Sequence, residues 1–352
     1  MTIRPPNSWK DLFMVNARAY ISSNFSKAFL TIFLPFFLII SLVYLVKISS
    51  LTAQIQITFA ELLLLFFYSV PDIVFYTLPI SFVAALSNVL IRLSIDNELI
   101  ALYALGLNSK KVLRSLLLLG LLFSILLLSI SFFAMPLSKQ FYRSFKETKK
   151  AEAKLNIVAG KLGQKFGEYY IYVKEKKGKD FYDIVIYNRT NKEDEQFFAA
   201  KIGNLHKKKN TTSLMLTDGY GYTYSKDKMQ QAKYQTLEVY DKVKKSDFHF
   251  QSVLDFWKKA KEDTKTLHKL LFYIFVSLIP FISVYLVAAF TMINPRYQSN
   301  NSFLVIFSTV LLFYTLASSL QKWGTFPMLF AAIAFTAILG RWFFQIRVAR
   351  FF

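Results

Sequence analysis

The sequence predicts a polytopic α-helical membrane protein with six transmembrane helices and an all-β domain inserted after the third. Three observations predict it. Six uncharged runs are each long enough to cross a hydrocarbon core of about 30 Å. Residues 137–269, between the third run and the fourth, turn lysine-rich and strand-like. The chain is also 54% hydrophobic over 352 residues, with 37 Phe and 20 Tyr, and it gathers its apolar residues in blocks. A soluble domain of this length has no use for such blocks.

The six runs are Ala28–Val46, Ile73–Ile91, Ser115–Ser138, Leu270–Pro295, Tyr297–Gln321 and Trp323–Gly340. Only Arg296 separates the fourth from the fifth, so their true ends lie inside those runs. The second is expected to begin earlier, because Leu62–Val70 is apolar and only Pro71 and Asp72 intervene. The first is long and lacks a small-x-small exit, which reads as an uncleaved span rather than a signal peptide. Pro71, Pro79 and Pro280 punctuate the second and fourth runs. Proline in a span kinks it while neighbours satisfy the freed carbonyls, either as static packing or as part of a gate. The plan divides the chain into residues 1–136, 137–269 and 270–352.

The net charge of +21 invites a nucleic-acid reading, but the placement of the charges gives them another use. Arg4, Lys10, Arg18 and Lys27 precede the first run, and Arg92, Lys110, Lys111 and Arg114 lie between the second and third. Arg296 lies between the fourth and fifth, and Arg341, Arg347 and Arg350 follow the sixth. The other side has only Lys47 and Lys322 in its short loops. Basic short loops stay cytoplasmic, so both termini are expected inside and residues 137–269 outside; long translocated domains escape the rule.

The outer segment opens with a charged helical stretch, Leu137–Val158, read as an extension of span three. Short runs follow, beginning at Glu168, Lys179, Gln196, Thr212 and Tyr234, rich in aromatic and β-branched residues and separated by turn residues such as Lys177-Gly178. They predict an antiparallel sheet or sandwich. Tyr169, Tyr170 and Tyr172 either fill its core or line a lipid groove. An amphipathic helix, Ser252–Lys269, is expected to lead into span four.

Several chemistries find no support. Cysteine is absent, which removes disulfides and thiolate metal sites. His206, His249 and His268 are far apart and show no ligand spacing. Gly106–Lys111 is not a phosphate-binding loop, since no second glycine precedes the lysines, and neither a nucleophile elbow nor an HExxH stretch occurs. The chain is expected to be a non-enzyme that needs no cofactor and holds no metal.

The interruption Arg92–Arg114 carries the sharpest signal. Ile95, Leu99, Leu102 and Leu105 share one apolar face of a helix near 93–106, with Glu98 beside that face and Asp96 away from it. Gly106 can supply the left-handed residue that ends the helix, and Asn108 or Ser109 can cap the next. One reading is a solvated helix on the membrane surface. The other is a helix that drops into a groove of a cytoplasmic motor, where Glu98 meets a cation of the partner. Lys47, at the outer end of span one, is either a lysine snorkelling to the interface or a cation for a lipid phosphate.

The stretch Leu78–Leu117 resembles the LptF/LptG (YjgP/YjgQ) family. The matching positions are Leu78, Pro79, Arg92, Leu93, Glu98, Leu99, Ala101, Ala104, Gly106, Leu107 and Ser109. Ala134-Met135-Pro136 at the end of span three is similar too, as are Leu216-Thr217-Asp218-Gly219 and the order of three spans, β domain, three spans. Asn294–Ser302 lacks a second arginine that many members carry. The chain reads as LptF-like, because its first strands lack a tryptophan-containing segment associated with LptG.

The resemblance implies a permease subunit that pairs with a paralogous subunit (LptG-like or LptF-like) and binds a cytoplasmic ATPase dimer (LptB-like). It implies extraction of lipopolysaccharide from the bacterial inner membrane and delivery through a jellyroll-like periplasmic domain to LptC-like and LptA-like bridge proteins. Taken with the helix-face reading, it gives ATPase-docking roles to Glu98, Asp96, Leu99, Leu102 and Gly106, and it implies a lipopolysaccharide-binding role for Lys47. It assigns lateral gates to Ala28–Val46 and Phe303–Leu320, each against the partner subunit. The alternatives are a permease for another lipid or lipoprotein, a lipid-modifying membrane enzyme, and a sensor with a soluble outer domain. Lipoprotein-release permeases have four spans with the large domain after the first, unlike this order. An enzyme would need acid, base or metal groups near the membrane plane, and in the sequence Glu61 and Asp72 stand without evident partners.

Overall fold

The computed structural model describes residues 7–52, 57–155, 157–166, 169–178, 180–188, 194–208, 211–225, 228–241, 250–292 and 302–350. Arg4, Arg296 and His249, each used in the sequence reading, lie outside them. The chain divides into two compact units, one of residues 1–50, 59–142 and 251–352, the other of residues 51–58 and 143–250.

The first unit is helical. Its helices are α1 (Asn7–Thr52), α2 (Phe59–Ile95), the short α3 (Glu98–Ala104), α4 (Ser109–Ser129) and the start of α5 (Met135–Leu155). After the β unit come α6 (Val253–Lys258), α7 (Thr264–Thr291), α8 (Ser302–Trp323) and α9 (Phe326–Phe344). Among the described residues six helical stretches are long and apolar enough to cross a membrane, namely 17–50, 59–95, 109–149, 264–291, 303–323 and 326–349. All six expected spans are present, and the second starts early, as the apolar residues before Pro71 imply.

α7 is the central helix and packs against α2, α4, α8 and α9. The approaches are close because small residues sit at the crossings. A Cβ on Gly120 of α4 would stand 2.8 Å from the Pro280 carbonyl of α7, and one on Gly340 of α9 would stand 3.0 Å from the Leu286 nitrogen. Such small-residue crossings are how helices associate where lipid is as apolar as leucine. Beside the proline, the Phe281 N–H donates across the interface to Ser124 Oγ at 3.2 Å. A π-helical turn, Ile130–Ala134, joins α4 to α5 without breaking the helix. A phenylalanine stack, Phe25, Phe29, Phe82 and Phe123, fills the space between α1, α2 and α4.

The expected amphipathic helix Ser252–Lys269 is broken. α6 ends in a 3-10 turn at Lys259–Lys261, and α7 starts afresh at Asp263. The Asp263 carboxylate accepts from the Lys265 and Thr266 N–H groups at 3.1 and 3.2 Å and from the Thr266 hydroxyl at 2.6 Å, forming a strong N-cap. Those bonds, led by the hydroxyl, hold the carboxyl below its ordinary range.

The second unit carries one antiparallel sheet of six strands paired in sequence order: β1 (Gln164–Phe166), β2 (Tyr169–Lys177), β3 (Asp180–Asn188), β4 (Asp194–Lys208), β5 (Thr211–Ser225) and β6 (Lys228–Asp241). The expected runs all fall on strands β2 to β6, and Gly178 turns β2 into β3 at φ +62°. Among the described residues this is a meander, with neighbours in sequence order, whereas two-sheet jellyrolls interleave their strands.

A crease crosses the sheet. The ladder pairs Val173 with Ile184 and Glu175 with Tyr182, Ile184 with Ala200 and Tyr182 with Ile202, Ala200 with Gly219 and Ile202 with Thr217. The row between these pairs holds Lys174, Asp183, Lys201 and Asp218, and both aspartates have positive φ, 51° and 54°. The buried positions jump by three across it, from Phe181 to Ile184, from Ala200 to Gly203 and from Leu216 to Gly219. The inward face therefore changes phase at the crease on three strands, as at a bulge. Opposite charges stitch the row on its exposed side: Lys174 to Asp183 at 3.2 Å and Lys201 to Asp218 at 2.9 Å. Lys201 holds the Asp218 carboxyl below its ordinary range. Beside the crease the Tyr234 ring covers Gly219, where a Cβ would overlap the ring, and its hydroxyl donates to the Ala199 carbonyl at 3.0 Å.

Candidate functional site

The segment between α2 and α4 is built by its turns. α2 runs through Arg92 to Ile95 and stops where Asn97 takes the left-handed conformation, φ 60°. Asparagine tolerates that conformation better than most residues. The Asn97 carbonyl then starts α3 by accepting from the Ala101 N–H at 3.1 Å. At the far end the Gly106 N–H bonds the Tyr103 carbonyl at 2.9 Å and the Leu107 N–H bonds the Leu102 carbonyl at 3.1 Å. With Gly106 at φ +80° this is a Schellman motif, which fixes where the helix stops. Asn108 then caps α4 through its side chain.

The expected apolar face divides. Leu99 is 4% exposed and joins the core that includes Leu90 and Leu93, and Leu102 packs partly against that core. Ile95 and Leu105 are 43% and 67% exposed, because the turn at Asp96–Asn97 rotates α3 relative to α2 and places Leu105 at its open end. The helix is therefore Glu98–Ala104, shorter than the 93–106 expected, with its inner face anchored and its ends open. Burial pushes the Tyr103 phenol well above its ordinary value.

Both carboxylates between α2 and α4 are partnered. Arg92 Nε lies 3.5 Å from Asp96 Oδ2, an exposed pair one helical turn apart. Tyr20 of α1 donates its hydroxyl to Glu98 Oε2 at 2.8 Å. Sequence reasoning missed this contact, since the two residues are 78 positions apart. Nearby, the Ser22 and Ser115 hydroxyls lie 2.9 Å apart, a second polar link from α1 to the bundle.

The other end of the helical unit holds Lys47. It is exposed, 5.8 Å from the Tyr44 ring centroid, and its charge acts on Asp72. Asp72 is not alone. Lys139 Nζ lies 3.3 Å from Asp72 Oδ1 and donates to the Tyr273 hydroxyl at 2.7 Å. The structure thus corrects the reading of Asp72 as partnerless. Asp72, Lys139 and Tyr273 come from α2, α5 and α7, and no short-range pattern in the sequence joins them. Gln140 closes this end by exchanging two hydrogen bonds with the Gln251 backbone, at 3.2 and 2.8 Å.

Neither end resembles a hydrolytic centre. Among the described residues no group of three His, Asp or Glu is placed to hold a metal ion. His206 lies exposed in β4 and His268 lies in α7. The geometry offers docking and charge recognition: a short, doubly stopped helix at one end, and a lysine beside a partly buried ion pair at the other.

Residues 19–346 match the family model described as the lipopolysaccharide export system permease LptF/LptG, a match that does not separate LptF from LptG. No curated protein matches the chain.

Proposed function

The chain belongs to the LptF/LptG family of lipopolysaccharide export permeases, and on that premise we propose that it is one transmembrane subunit of an ATP-driven exporter. In this reading a cytoplasmic ATPase dimer binds α3. A paralogous subunit completes the transmembrane path, and lipopolysaccharide leaves the inner membrane toward periplasmic bridge proteins. The observation that carries the reading is the construction of α3. It is a helix of seven residues between two spans, stopped by left-handed residues at both ends and seated by Leu99. The stops hold the ends and charges of the helix in fixed positions, as docking requires.

The roles follow the chemistry. Glu98 and Asp96 present carboxylates to cations of the ATPase, Leu102 supplies apolar contact, and Gly106 sets the exit angle. Lys47 takes a lipid A phosphate, for which a charge-assisted bond at the edge of the hydrocarbon is strong. The ATP chemistry belongs to the partner. Both termini are cytoplasmic and residues 137–269 periplasmic, in keeping with the basic short loops on one side. The charges of Asp72 and Lys139 offset each other, which favours a structural role over acid–base catalysis and weighs against the enzyme alternative.

Co-purification tests the proposal. Tagged wild-type chain is expected to bring down a cytoplasmic ATPase under mild extraction, Glu98→Ala to bring down less, and Glu98→Lys to lose it. Absence of any ATPase with the wild type would remove the motor. Independently, Lys47→Glu should weaken crosslinking to lipopolysaccharide while leaving the ATPase bound, and unchanged crosslinking would remove Lys47 from the lipid path.

A further inference from the structure

The third span contains a proline whose missing donor is supplied from another helix. In an α-helix the Phe132 carbonyl would accept from the N–H of residue 136. Residue 136 is proline, which has no N–H and whose ring presses on the carbonyl four residues back. The chain widens there into the π turn Ile130–Ala134, in which the Met135 N–H reaches five residues back to the Ile130 carbonyl. Trp257 of α6 then gives its indole N–H to the Phe132 carbonyl at 2.9 Å. A backbone carbonyl within a span has no water to turn to, so this bond, across 125 positions, stands in for a bond of the helix itself.

The indole is held from three sides. Its ring centroid lies 5.3 Å from that of Phe132, and it meets Phe256 and Tyr273 edge-on at 5.0 and 6.0 Å. Inside the turn, Ser131 Oγ lies 3.3 Å from Ser277 Oγ of α7. Beyond the turn, Lys139 donates to the Tyr273 hydroxyl and Gln140 exchanges two bonds with the Gln251 backbone. We propose that Trp257 is a latch that ties the register of α5 to the seat of α6. A π turn carries one residue more than the α turn it replaces, so a helix that loses or moves it turns everything beyond by about 100°. With α6 seated, the indole holds the turn at Phe132, and Lys139 and Gln140 face Tyr273 and Gln251. With α6 lifted, the carbonyl loses its donor, the turn moves, and both side chains leave their partners. The bonds at residues 132, 139 and 140 are thus made or lost together, which gives this end of the helical unit two discrete states. α6 is the first helix of that unit after the chain returns from residues 143–250, so a pull on the chain there acts on the latch. The latch is built wholly from contacts inside the helical unit, and no part of it depends on the transport role.

Hydrogen exchange of the full chain in nanodiscs, read by mass spectrometry, tests the latch. Trp257→Phe keeps an aromatic ring and removes the N–H. The α5 amides just beyond Pro136 are expected to exchange about fivefold faster in that variant, the equivalent of one neutral hydrogen bond, with the α9 amides unchanged. Pro136→Ala returns a donor to the helix, so adding Trp257→Phe to it should give no further acceleration. Lys139 supplies the second reading. It should react faster with an amine-acylating reagent in Trp257→Phe, while Lys322 keeps its rate. Unchanged α5 exchange in Trp257→Phe would overturn the proposal. Equal acceleration with and without Pro136 would also overturn it, because the indole would then act through packing alone. Faster exchange with unchanged Lys139 reactivity would reduce the bond to a local prop and remove the latch. Should Pro136→Ala fail to fold, the Lys139 reading in Trp257→Phe decides by itself.

Discussion

At the scale of single residues, partners matter more than positions. Glu98 was legible in the sequence as a charge beside an apolar face, but Tyr20, which holds it, was not, because no local pattern connects the start of α1 to the start of α3. Tyr20→Phe removes the bond and keeps the ring. An exposed charge-assisted bond is worth about 1 kcal/mol, so capture of the ATPase should weaken about fivefold. A titrated pull-down checks this, and unchanged capture would mean that Glu98 needs no support. Asp72 was legible only as an intramembrane acid, and Lys139 and Tyr273 had to be brought to it by three helices. Asp72→Asn leaves the Lys139 ammonium without its counter-ion and should lower stability by about 1–3 kcal/mol. Adding Lys139→Met should return part of the loss, read from thermal melts in detergent. Tyr234 carries a pH dependence: burial pushes its phenol up to about 12, and an unfolded phenol ionises near about 10. The folded state thus holds the proton more tightly. Its contribution is whole below about pH 10 and disappears as the pH rises through about 12. A phenolate absorbance titration should show a late-titrating group of tyrosines, smaller by one in Tyr234→Phe.

At the scale of elements, hydrophobic periodicity located helices and strands but could not see where the period breaks. It ran one apolar face from Ile95 to Leu105, yet the left-handed Asn97 splits that stretch and leaves Leu105 exposed. It drew one amphipathic helix over Ser252–Lys269, yet the Asp263 cap starts a new one. In the sheet, alternation identified five strands and missed the crease, because a phase change of one residue in each of three neighbouring strands is visible only once they are paired. The glycine that ends Leu216–Gly219 acquires a physical reason there. Gly219 is small because a Cβ there would overlap the Ala199 carbonyl on β4 as well as the Tyr234 ring. Gly219→Ala should force the β4 and β5 backbones apart and cost about 1–3 kcal/mol, measured as a lower urea midpoint for the strand signal, with the helical signal unchanged. A midpoint equal to the wild type would mean that the backbone contact does not constrain this position.

At the scale of the whole molecule, the sequence reading was strongest. Hydrocarbon thickness imposes length, and six spans follow from length and charge alone. The family was legible from the residues around α3, where three requirements coincide: a helix stop, a helix start and surface charge. Which face of the membrane α3 occupies is the claim on which docking, leaflet and direction of transport all depend. The absence of cysteine makes it directly measurable, since one introduced thiol is unique in the chain. The decisive experiment places a cysteine at Leu105, exposed at the open end of α3, or at Lys322, in the last turn of α8, in cells that co-express the ATPase. A thiol-to-amine crosslinker is then added. The account predicts an ATPase adduct from Leu105→Cys, none from Lys322→Cys, and labelling by a membrane-impermeant maleimide only at position 322. Labelling of position 105 from outside the cell membrane, or an ATPase adduct from position 322, would contradict it.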